Sequence, residues 1–243
     1  MAEESNSQPH SDEHWRRILR SSLASAYVRE LYWLARNNTI ACEAIFEAAK
    51  PPPDEQSSYI KVDHEVHARI YEVLNNAARI RALVTIRRRR VNQQSAEQHM
   101  IQDARTKWLG ELLSSVQIQE TLRAQVRNSL EHFDEYLDEA FLNFSKRPPN
   151  GRLLLPLDMT LGRESTLDQF ADGGSVYPLR VYLAEERVFI NCGKRVSIGL
   201  LHSECRGILD FLRNAVPSLA EEEDPGGRGS PMFVLTPTSF DEP

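Results

Sequence analysis

A chain of 243 residues is long enough for one large domain or two small ones, and a hydrophobic content of 41% suffices for a folded core. The net charge of −6 is not that of a general nucleic-acid binder, which carries a basic excess. The opening residues are polar and acidic, the three cysteines (Cys42, Cys192, Cys205) form no metal-spaced pair, and no apolar run reaches the roughly 20 residues that cross a bilayer, so the expectation is a soluble cytoplasmic protein.

Residues 1–11 read as disordered. From about 12 to 49 the pattern is helical, with Trp15, Ile18, Leu19, Leu23, Tyr27, Leu31 and Leu34 at three- and four-residue steps. A short second helix is expected from Ile40 to Ala49, ended by Pro51-Pro52-Pro53. A third helix is expected over about 63–87, with Val66, Ile70, Val73, Leu74 and Ala77 on one face, and a fourth over about 95–115. The fifth, about 117–145, has the cleanest period: Leu122, Val126, Leu130, Phe133, Leu137, Phe141 and Phe144 form one stripe. Pro148-Pro149-Asn150-Gly151 then marks a boundary.

Beyond it, Leu153-Leu154-Leu155 suggests a strand. Alternation over Tyr177–Leu183 and Arg187–Cys192 about a turn at Ala184-Glu185-Glu186 reads as a β-hairpin. Gly193-Lys194 makes another turn, Arg195–Ile198 a third strand and Leu200–Val216 a helix. Residues 218–243 read as a solvated acidic tail. The expected fold is mainly α. An N-terminal antiparallel bundle of about five helices (12–147) is followed by a small α+β unit (148–217). Residues 1–147 hold 20 Lys+Arg against 21 Asp+Glu, and residues 148–243 hold 9 against 14, so the cations are concentrated in the first part.

The chemistry-bearing segment is Arg127-Asn128-Ser129-Leu130-Glu131-His132, inside the fifth expected helix. A histidine titrates near neutral pH and can move the proton of a 2′-hydroxyl or of a leaving oxygen. An arginine stays charged and forks onto phosphate oxygens. An amide beside it can hold the phosphate or orient the histidine. On a helix Asn128 and His132 share a face opposite the apolar stripe, while Arg127 lies about 140° around from His132. That spread favours a site built across a two-fold dimer, where two copies of the polar face meet. Spacing alone is not distinctive: Arg195 and His202 make a second such pair, and Arg127 paired with Glu131 on a solvated helix face would need no chemistry at all.

The segment resembles the HEPN superfamily, whose members are bundles of four to five helices. Their signature is an arginine, a polar residue beside it, and a histidine after four to six intervening residues on a late helix. Arg127, Asn128 and His132 match it position by position, Phe133-Asp134-Glu135-Tyr136-Leu137-Asp138 continues in the same manner, and the resemblance spans about residues 12–147. It implies a metal-independent endoribonuclease of toxin–antitoxin or phage-defence type, acting as a homodimer on RNA, with an antitoxin or nucleotidyltransferase as partner protein. A non-catalytic module that binds a protein or a nucleotide through the same face is the alternative. No cofactor and no membrane contact is expected.

Arg87-Arg88-Arg89-Arg90 could follow an RNA backbone, though such a run more often solvates a helix end. His64, His67 and His99 could be imagined as ligands, but no third ligand accompanies the His64–His67 step, so no metal is expected. Trp15, Trp33 and Trp108 fall on apolar faces and read as core, and Cys192 has no histidine nearby in sequence to make it a nucleophile.

Overall fold

The computed structural model describes residues 22–54, 59–85, 95–123, 133–145, 153–154, 157–169, 175–216 and 219. They form a mainly helical protein with a small five-stranded sheet. Among the described residues no helix is long and apolar enough to cross a membrane.

The first element, α1 (Ser22–Ala48), runs unbroken through Asn37-Asn38, where a separate helix starting at Ile40 was expected. Its buried residues (Val28, Leu31, Tyr32, Ala35, Asn38, Cys42, Ile45) keep three- and four-residue steps throughout. Asn38 and Thr39 each donate a side-chain hydrogen bond where they lie. Asn38 Nδ2 donates to Cys205 Sγ at 3.3 Å, and the Thr39 hydroxyl donates to the Ala35 carbonyl at 2.9 Å. A buried asparagine with a partner does not break a helix.

Strand β1 (Ile60–Val62) follows, and then α2 (His64–Val84). The Asp63 carboxylate caps α2 by accepting the Val66 N–H at 3.1 Å. Burial pushes Asp63 up, but its hydrogen bonds from Lys61 and the Val66 N–H outweigh this and hold it below the usual carboxylate range. Helix α3 (Ala96–Leu112) starts with a capping box between Ser95 and Gln98. From α3, Arg105 donates to the Leu83 and Ala82 carbonyls at 3.3 and 3.1 Å, covering the end of α2.

The fifth expected helix is not one continuous element. A single turn, α4 (Gln119–Leu122), ends at Arg123, whose backbone is extended (φ −67°, ψ 124°). Helix α5 (Phe133–Ser145) carries the later part of the stripe, and there Phe141 is 51% exposed. Phe133 and Leu137 of the same stripe are half-buried.

The remaining elements are β2 (Leu153–Leu154), β3 (Met159–Leu161), α6 (Ser165–Gln169), β4 (Ser175–Val176), β5 (Arg180–Leu183), β6 (Val188–Asn191), β7 (Lys194–Ser197) and α7 (Ile198–Ala215). The expected hairpin is β5–β6, paired antiparallel from Arg180↔Asn191 to Leu183↔Val188. Asn191 then pairs with Lys194 across a two-residue turn at Cys192-Gly193, both with positive φ, a backbone that glycine adopts freely. The sheet order is β1-β3-β5-β6-β7, with β3 and β5 parallel and the other pairs antiparallel. β2 and β4 form a separate parallel pair.

Alternation divides the sheet into two faces. Tyr182, Phe189 and Val196 face helices and join one core with Ala41, Cys42 and Ile45 of α1, Ile70 and Val73 of α2, and Ile198 and Leu201 of α7. Val181, Leu183, Ile190 and Leu161 face the other way, with Leu167 of α6 against them. A third cluster joins Leu31, Tyr32 and Ala35 of α1 to Ile80 of α2, Leu109 of α3 and Cys205, Ile208 and Leu212 of α7. Trp33 and Trp108 pack on it, and so does Leu219, the one described residue of the stretch expected as a solvated tail. Trp15 lies outside the described residues.

Residues before and after position 148 thus share one core. Leu201→Ala, at a site 1% exposed, should lower the unfolding free energy by about 2–5 kcal/mol. Urea unfolding followed by helical circular dichroism and by tryptophan fluorescence should give coincident transitions, since Leu201 belongs to one cluster with residues of α1, α2 and the sheet.

Candidate functional site

Arg127, Asn128 and His132 lie outside the described residues, and so do Arg87, Arg88, Arg89 and Arg90. Both flanks of the 124–132 segment are described: buried carboxylates meet the leading one, and a half-buried ion pair meets the trailing one.

On the leading side, α4 has no side-chain cap of its own at Ile118. Glu204 of α7 serves instead. Its Oε1 accepts the Glu120 N–H at 2.7 Å, and its Oε2 accepts the Thr121 N–H at 2.8 Å and the Thr121 hydroxyl at 2.6 Å. Glu120, also buried, accepts the Ser197 N–H at 3.0 Å and pairs with Arg123 at 2.9 Å. This lock seats α4 on α7, and the chain leaves its last turn in an extended conformation at Arg123. Arg123 lines a groove of about 410 Å³ between the two helices, together with Gln117, Gln119, Ser203 and Phe211.

On the trailing side, Phe133 opens α5 and lies 5.3 Å from the Arg180 guanidinium carbon. One turn later Tyr136 lies 5.6 Å from Lys194 Nζ. Arg180, at the start of β5, faces Asp158 with Nε 3.0 Å from Oδ1 and Nη2 3.2 Å from Oδ2, while Nη1 donates to the Tyr71 hydroxyl at 3.1 Å. Asp158 precedes β3 in a left-handed backbone (φ 53°), which costs free energy at a non-glycine residue. In that bend its carbonyl accepts the Asp63 N–H at 3.0 Å, and its carboxylate points at two histidines of α2. His64 Nδ1 lies 3.1 Å from Oδ2, and His67 Nδ1 lies 3.7 Å from Oδ1. His64, His67 and Tyr71 share one face of α2 at three- and four-residue steps.

The two histidines differ in environment. The His64 side chain is 79% exposed, that of His67 only 2%. His67 Nε2 is 3.2 Å from the Met159 carbonyl, so in the neutral ring it donates there and Nδ1 carries the lone pair. Burial is the largest influence and pushes His67 below the ordinary imidazole range, against the opposing pull of the Met159 carbonyl and Asp158.

Among the described residues no group of three His, Cys, Asp or Glu side chains is arranged to hold a metal ion, and the His64–His67 step meets a carboxylate that Arg180 already engages. His99 faces Asp103 at 3.8 Å. The other Arg–His pair diverges: Arg195 makes a two-bond fork to Glu164 at 2.7 Å, whereas His202 lies 3.4 Å from Glu43. All three cysteines are free and buried, and burial raises each thiol, Cys205 to about 12, which keeps them protonated and poor nucleophiles.

Sequence reasoning named His64 and His67 but missed Asp158, Arg180 and Tyr71. The available signal was the shared face of His64, His67 and Tyr71. The carboxylate the two histidines meet lies 94 residues from His64, which no local pattern reveals.

His67 makes the fold sensitive to acid. The unfolded chain takes up a proton near pH 6.5 that folded His67 refuses until lower pH. Its stabilising contribution is therefore present above that value and is lost as pH falls toward its depressed folded pKa, by at most about 1.4 kcal/mol per pH unit. His67→Gln, which keeps a donor for the Met159 carbonyl, should flatten the stability profile between about pH 7 and 5. Urea unfolding across that range compares the two slopes.

Comparison of the chain with protein-family models, with curated proteins and with solved structures finds no match.

Proposed function

We propose that the chain is a metal-independent endoribonuclease of the kind found in toxin–antitoxin or phage-defence systems, cutting a flexible single-stranded RNA at a site shared by two copies. The observation that carries it is the segment Arg127-Asn128 with His132 four residues beyond Asn128. In this reading the 2′-hydroxyl attacks the adjacent phosphorus and the bond to the 5′-oxygen breaks, leaving a 2′,3′-cyclic phosphate and a free 5′-hydroxyl. His132 moves a proton in that exchange, Arg127 stabilises the phosphorane-like charge, and Asn128 positions the phosphate or the imidazole.

Two features of the flanks support it. Arg123 immediately precedes the segment in the chain, and Arg180 and Lys194 lie against Phe133 and Tyr136 just after it, so cations stand at both described flanks, each of the two arginines paired with a carboxylate. The buried Glu204 lock and the Phe133–Arg180 contact hold the segment's two ends to the core, a support that a precisely spaced catalytic set requires. The same reading includes the antiparallel bundle of about five helices over 12–147, a homodimer in the cytoplasm, Arg87–Arg90 along the RNA backbone, and an antitoxin or nucleotidyltransferase partner.

His132→Ala should reduce cleavage of a single-stranded RNA panel by about 10²–10⁴-fold with unchanged circular dichroism and oligomeric state. Arg127→Ala should do likewise. Wild-type cleavage rates in purified His132→Ala would overturn the proposal.

A further inference from the structure

Two buried acceptors face each other inside the Asp158 junction. In the neutral His67 ring Nε2–H donates to the Met159 carbonyl, so Nδ1 presents a lone pair. Nδ1 lies 3.7 Å from Asp158 Oδ1. Both atoms are buried, and among the described residues neither has a hydrogen-bond partner. Arg180 Nε lies 3.0 Å from the same Oδ1, close enough for an ion pair but likewise without a hydrogen bond. A buried polar atom without a partner costs free energy, and one proton placed on Nδ1 would serve both acceptors at once. We infer that this junction is a proton-operated latch: protonated His67 draws the Asp158 carboxylate away from Arg180, and Arg180 then loosens its hold on Phe133 and helix α5. The latch goes beyond the ribonuclease reading and does not depend on it.

The groups that face His67 come from every element packed around it. Asp158 precedes β3 and Arg180 is on β5. Asp63 caps α2, and Lys61 of β1 pairs with it. His64 and Tyr71 lie on the same face of α2. The Phe189 ring of β6 meets the imidazole edge-on at 5.7 Å. Burial opposes a charge on the ring most strongly, and Arg180 repels it, while the Met159 carbonyl, Asp158 and Asp63 favour it.

A protonated His67 and Arg180 are two cations competing for one carboxylate. The His67 side chain is 2% exposed, whereas that of Arg180 is 26% exposed, so Arg180 is the cation able to turn into water. Phe133 lies 5.3 Å from the guanidinium carbon and loses that contact when Arg180 turns away. The released form binds the proton more tightly than the latched form. Its population therefore rises as pH falls, by at most about tenfold per pH unit for a single proton.

The test uses the full chain without RNA. Amide hydrogen exchange, corrected for the intrinsic rate at each pH, is followed from about pH 7.5 to 5 beside an NMR titration of the imidazoles. In the wild type, opening of α5 should rise about tenfold as His67 titrates, while α1 and α7 keep their protection. His67→Gln keeps a donor for the Met159 carbonyl and cannot take up the proton, so it should abolish the rise. His64 meets the same carboxylate and His132 precedes Phe133 in the sequence. His64→Gln and His132→Ala are therefore the controls, and both should retain the rise. Asp158→Asn ends the competition and should leave α5 open at every pH. An unchanged rise in His67→Gln would overturn the latch. So would two results that need no variant: α5 protection that stays constant through the His67 titration, and a His67 that remains neutral until the core itself unfolds.

Discussion

The whole arrangement depends on one helix near the end of the described chain. Helix α7 buries Ile198, Leu201, Glu204, Cys205, Ile208, Leu209 and Leu212 along a single stripe, so it enters both helical cores and joins them. Full burial of each of its aliphatic side chains contributes about 1.5–3 kcal/mol, which makes it a large share of the stabilisation available to α1 and α2. Within that stripe sits one carboxylate, and its charge is offset by three donors from α4. Removing the donors would leave a buried anion, a penalty well above the worth of any single apolar contact. The hydrophobic stripe decides that α7 packs where it does, and Glu204 decides which segment may pack beside it.

A second polar junction works differently. Asp158 ties α2, β1, β3 and β5 together through an arginine, a backbone N–H and two histidines, yet it is not fully withdrawn from water. Its partners range from an almost inaccessible imidazole to one nearly open to solvent. One carboxylate thus faces a ring that burial pushes below the ordinary imidazole range and a second ring at the surface.

The β5–β6 hairpin, the turn at Gly193 and helix α7 were legible in the sequence because their signals are local: alternation, a turn glycine and a helical period. What was not legible has distant causes. Helix α1 continues through Asn38 because Cys205, 167 positions away, supplies a partner. The helical period from Leu122 to Phe144 runs on in the sequence, but the chain is extended at Arg123, beside a turn seated on a carboxylate 84 residues from Glu120. Strand β1 is too short to show a period, and it pairs with residues about a hundred positions later. Asp158 and Arg180, which the His64–His67 step meets, come from distant parts of the chain. Arg127, Asn128 and His132 were read by residue type alone and lie outside the described residues.

The five-stranded sheet ends, among the described residues, in β1 on one side and β7 on the other. An open strand edge is a template on which another chain can grow a ladder. Here β1 is only three residues long with Lys61 at its centre, and β7 begins with Lys194 and Arg195. Lengthening the ladder at either margin would force ammonium and guanidinium groups to shed water against an incoming backbone. The charged margins therefore act as gatekeepers against runaway fibre-like stacking.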